Sequence, residues 1–148
     1  MERYTLHQKL QGYCDCYLTT DPREELVRLS QGGLGNDPVG DIREAAVKLM
    51  GLMILYGLKE NAQALELWRD PQGRTRLEVQ AAGKYQLPAP ASELVDEAFS
   101  VMRAITHLEG ESAREPLSLG LGQESISLEV AFGRSHPWEV LRLSLPRT

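Results

Sequence analysis

The residues best suited to chemistry are few and scattered. Cys14 and Cys16 flank Asp15, with His7 close by, and thiolate and imidazole are both good zinc ligands. The spacing argues against such a site. Structural zinc sites use cysteines two to four residues apart and a second ligand pair, and here only His107 and His136 remain, far along the chain. A redox pair normally reads Cys-x-x-Cys, which this is not. Two thiols on or beside an amphipathic helix, reduced and unliganded, are therefore expected, with no metal and no cofactor.

The segment Gly35 to Gly40 has the glycine spacing of a phosphate loop, but Asp41 and Ile42 stand where Lys and Ser/Thr are required. A connecting loop is the better reading. The histidines lack an i, i+4 partner, and no serine sits in a Gly-x-Ser-x-Gly turn, so no triad can be nominated. Glu66 and Glu78 fall opposite each other if their segments form a hairpin, and paired carboxylates can do acid-base work. Arg74 and Arg76 are near enough in sequence to neutralise them, which makes a charge ladder the simpler expectation.

The two tryptophans stand out most. By strand alternation Trp68 and Trp138 lie on the face opposite the leucines, with Arg76, Val140 and Arg142 beside them. Aromatic side chains next to arginine on an otherwise polar sheet face suit an interaction surface. The competing expectation is that N-terminal helices cover that face and make both tryptophans core.

These residues are carried by a chain of 148 residues, near the size of one domain, with ordinary apolar and charged content. A single α+β domain over 1–148 is expected: an N-terminal helical pair (1–31), a glycine-rich loop (32–40), and two units at 41–87 and 88–148. Thr5 and Gln8 read as a capping box for a helix over 5–18, and Asp21-Pro22 opens a second that stops at Gly32-Gly33. Asp41 and Glu44 open a third, nearly all apolar, that ends near Gly57. From Ala64 the period changes to two, and Asp70-Pro71-Gln72-Gly73 is a type I turn sequence. With Gly73 left-handed, the hairpin register places Leu67 opposite Leu77 and Leu65 opposite Val79.

A link, LPAPA, leads to a helix capped by Ser92, then to strands at 116–121, 125–132 and 138–145. Met50, Leu65 and Leu67 recur at Met102, Leu117 and Leu119, an offset of 52, which suggests a duplicated helix and hairpin. The expected architecture is a mainly antiparallel sheet with helices on one face.

A net charge of -5 disfavours nucleic-acid binding, and the longest apolar run, Leu49 to Leu58, is too short for a membrane span. The first ten residues, MERYTLHQKL, lack a signal peptide's apolar stretch, so a cytoplasmic location is expected. No family-specific motif is present. The sequence therefore points to a non-catalytic protein-binding or adaptor module of unassigned pathway, whose partners are itself, as a homo-oligomer, and another protein. The alternative is a small-molecule-binding protein or small enzyme with its site between the two units.

Overall fold

The computed structural model describes residues 2–17, 19–32, 42–106, 113–121 and 124–146. Among them are helices α1 (Glu2–Tyr17), α2 (Pro22–Gly32), α3 (Ile42–Lys59) and α4 (Ser92–Thr106). The strands are β1 (Ala64–Arg69), β2 (Thr75–Gln80), β3 (Lys84–Leu87), β4 (Ala113–Leu121), β5 (Glu124–Ser135) and β6 (Trp138–Ser144). They form one antiparallel sheet in the order β3-β2-β1-β6-β5-β4. The fold is α+β.

The helices α1 and α4 open differently from expectation. α1 begins at Glu2, so Thr5 and Gln8 lie inside it; the i, i+3 spacing of a capping box fits a helix interior equally well. Leu6, Leu10 and Cys14, four residues apart, make its buried stripe. α2 starts as its sequence dictates: Asp21 Oδ1 accepts the N–H groups of Arg23 (3.1 Å) and Glu24 (3.4 Å), with Pro22 in the first helical position. The glycine-rich loop and Asp41 lie outside the described residues, as do His107 and Gly110.

α3 is the central helix, with every residue from Leu49 to Gly57 buried. It does not stop at Gly57. It continues to Lys59 and closes through Asn61 (φ 53°), where Ala62 N–H bonds to Gly57 C=O (2.8 Å) and Asn61 N–H to Leu58 C=O (3.3 Å). This is a Schellman ending with asparagine in place of glycine. Gly57 instead serves packing, since a Cβ there would run into Leu65 and Leu145. α4 starts one residue earlier than expected: Ala91 C=O accepts the Val95 N–H (3.0 Å), which makes Ala91 the cap and puts Ser92 inside the helix.

The β1–β2 hairpin has the expected register, Leu67 opposite Leu77 and Leu65 opposite Val79, with Gly73 at φ 85°. β3 was not foreseen; it lies at the end of the first unit and shares only Leu87 with the link. The segment 133–137 also differs, because β5 runs on to Ser135 and only His136 and Pro137, joined by a cis peptide bond, turn the chain.

Leucines from all six strands join α3 and α4 in one core on a single face of the sheet. A helix followed by three strands occurs twice. The first trio, however, places β1 in the middle of the sheet, whereas the second places β4 at its edge. Alternate leucines are what any strand under a helical layer requires, so their recurrence at an offset of 52 does not by itself establish duplication. No described helix is long and apolar enough to cross a membrane.

Candidate functional site

Alternation on β1, β2 and β6 sends Leu65, Leu67, Leu77, Val79, Leu141 and Leu143 to the helices. It therefore sends Glu66, Trp68, Arg76, Glu78, Val140 and Arg142 to the other side. The N-terminal helices do not cover this outer face: α1 packs on α3, α4 and β4, and α2 packs on α3. Trp68 and Trp138 are half-buried and lie outside the main core. Their rings meet edge to face, 6.5 Å apart at 82°.

Arginines provide the cover. Trp68 has Arg76 and Val140 as direct cross-strand neighbours. The Arg76 guanidinium sits 4.3 Å from the Trp138 ring centre and 5.5 Å from that of Trp68, and Arg74 lies 5.4 Å from Trp138. Two cationic groups thus stack on one aromatic pair. Within this cluster the Trp68 Nε1 and the Arg76 Nε are enclosed and have no hydrogen-bond partner.

The carboxylates Glu66 and Glu78 do face each other. Arg76 answers Glu78 as expected, but the partner of Glu66 differs. Arg142, not Arg74, answers Glu66, with Nη1 donating to Oε2 at 2.8 Å, while Nη2 and Nε donate to Gln80 and Ser144. Arg142 is thus a strut spanning three strands. Arg76 lies 3.4 Å from Glu78, and Arg74 turns back to Asp70. Both glutamates are tied into a charge ladder, as the simpler expectation held. Val140 faces Gly133, where a Cβ would stand 3.3 Å from the valine.

The cysteine cluster is not brought together. Cys14 is buried and Cys16 exposed, because residues two apart on a helix point about 200° apart. Burial, with help from Asp15, pushes the Cys14 thiol up to about 12. His7 donates through Nε2 to Ser118 C=O at 3.0 Å instead. Among the described residues no group of three or more His, Cys, Asp and Glu side chains is placed to hold a metal ion.

A crevice of about 310 Å³ lies between the two units at the turn end of the helical face, lined by Arg69, Asp70, Pro71, Gly73, Ser92, Asp96 and Glu139, none of which sequence reasoning nominated for a ligand site. Both halves of the chain contribute to it. Arg69 is its hub: it stacks 4.0 Å from the Phe99 ring centre and reaches Asp96 (3.0 Å) and Glu139 (3.2 Å). The only hint was a charged pair, Arg69-Asp70, ending an apolar strand. Every carboxylate lining the crevice is thereby joined to an arginine.

The comparisons add no relative. No family model matches the sequence, and no curated protein matches it. Functional argument therefore rests on the site itself.

Proposed function

We propose that the chain is a non-catalytic protein-binding or adaptor module that works as a homo-oligomer, with its contact centred on Trp68, Arg76 and Trp138. What carries this reading is Arg76 lying against two tryptophans on the sheet face that no described helix covers. Tryptophan and arginine are the residues most enriched where binding energy concentrates. The enclosed Trp68 Nε1 and Arg76 Nε, without acceptors, are a cost of about 1–3 kcal/mol each that the chain carries at this cluster.

The alternative, a small-molecule or catalytic site, has the crevice in its favour, since it lies between the two units and reaches the lower end of ligand-pocket volumes. Its charges are already satisfied by one another, and Asp70 is held ionised rather than poised to exchange a proton.

Light scattering behind size-exclusion chromatography tests the proposal on wild type and Arg76→Glu. A wild-type mass above the 16.5 kDa of one chain, reduced by the substitution, is expected. A wild type that stays monomeric at high concentration defeats the homo-oligomer.

A further inference from the structure

Antiparallel pairing leaves every second residue of an edge strand with its N–H and C=O turned away from the sheet. On β4 those residues are identified by their partners. Ser118 C=O accepts from His7 Nε2, and Gly120 is held at both ends by Gln11: its N–H donates to Oε1 (2.7 Å) and its C=O accepts from Nε2. One primary amide thus makes both bonds that a residue of a neighbouring strand would make.

The match is geometric. His7 and Gln11 are four apart on α1, a rise of about 6.0 Å, and Ser118 and Gly120 are two apart on a strand, a rise of about 6.8 Å. The next outward position toward the start of β4 is Pro116, which has no N–H to offer.

We infer that α1 is a lock on a latent strand-acceptor edge: His7 occupies the outward C=O of Ser118, Gln11 occupies both outward groups of Gly120, and together they keep β4 from pairing with the β4 of a second copy. The inference does not rest on the outer-face contact proposed above. Self-pairing is the fit occupant, because a two-fold axis sets the same open stretch, 118–121, against itself antiparallel.

The test uses the full chain with Gln11→Met, which keeps side-chain length and helix propensity, in a Trp138→Ala background so that association through the outer face does not mask the result. Circular dichroism confirms folding. The Gly120 amide is expected to exchange about tenfold faster, reflecting the lost side-chain acceptor. The mass at high concentration is expected to rise above that of the Trp138→Ala parent. Adding Ser118→Pro, which removes an outward donor, is expected to return it to the parent value. Unchanged exchange at Gly120 removes the lock. Faster exchange with no gain in mass removes the acceptor edge, and so does a gain that Ser118→Pro fails to reverse. If Gln11→Met does not fold, His7→Ala, which frees the Ser118 C=O, is read by the two mass criteria: a gain over the parent, and its reversal by Ser118→Pro.

Discussion

At the scale of single residues, Asp70 shows how a carboxylate can be committed to a turn. It accepts the N–H groups of Gln72 (3.0 Å) and Arg74 (2.8 Å) and the Arg74 guanidinium, and its side chain is inaccessible to solvent. Burial acts to raise its pKa, but the Arg74 N–H and guanidinium and the Gln72 N–H outweigh it and hold the group below its ordinary 3.8. A pKa lowered on folding contributes stability that is present above the unfolded value and lost as pH falls through the folded one. Asp70→Asn should therefore have a lower urea midpoint than wild type at pH 7, with the gap closing only below 3.8. A gap that persists at pH 2 would mean that the ionised form is not what matters. Cys14 gives a second prediction. With its thiol near 12, only on the order of one molecule in 10⁴ carries the thiolate at pH 8, whereas Cys16 is exposed. A chromogenic disulfide should label one equivalent quickly and the second only in denaturant; rapid labelling of both would mean that α1 does not dock as described.

At the scale of elements, two glycines of α3 have opposite meanings. A Cβ at Gly51 would make ordinary contacts with Tyr13, Cys14 and Leu10 on α1, so Gly51→Ala should gain most of the helix propensity difference, about 0.5–1 kcal/mol. At Gly57 the Cβ would collide with Leu65 and Leu145, and overpacking of about 1–3 kcal/mol exceeds that gain. Gly57→Ala should unfold at lower urea and Gly51→Ala at higher; the same sign for both would show that the α3 to sheet distance adjusts freely. These glycines also mark what the sequence can tell. The β1–β2 register was legible because Asp70 to Gly73 fixes the turn locally and the leucine alternation fixes the face. The role of Gly57 was not, since it depends on Leu145, 88 residues away. β3 escaped notice because four residues, three of them exposed, carry almost no period. The tryptophans could be placed on the outer face by alternation alone. That Arg142 rather than Arg74 would answer Glu66 could not be read, because the β1–β6 pairing joins positions 76 apart.

At the scale of the whole molecule, the routes by which two copies can meet are limited by what the fold has already blocked. Both sheet edges are blunted: β4 by α1 and Pro116, and β3 by its four-residue length, Lys84, and Pro88 just beyond it. The helical layer fills the inner face. Among the described surfaces of the sheet, the outer face remains, six strands spaced about 4.8 Å and so roughly 29 Å wide, large enough to supply much of the about 800 Å² that each partner of a standard interface contributes. Its charges are mixed, with Arg76, Lys84, Arg114 and Arg142 against Glu66, Glu78 and Glu129, so two such faces can oppose each other without the repulsion that the overall -5 implies. That overall charge still acts at a distance. Salt that brings the Debye length to about 10 Å should therefore strengthen association, whereas contacts built mainly on ion pairs would weaken. The expected result is an oligomer whose dissociation constant falls between low and physiological salt, and which Trp138→Ala weakens while lowering stability by only about 1–2 kcal/mol, less than a fully buried tryptophan costs. Sedimentation equilibrium across a salt series measures the first quantity and urea unfolding the second. If Trp138→Ala instead costs 3–5 kcal/mol, about the value for a core aromatic, and leaves the mass unchanged, the Trp–Arg cluster is a structural cap on the outer sheet face, and the contact between copies lies elsewhere.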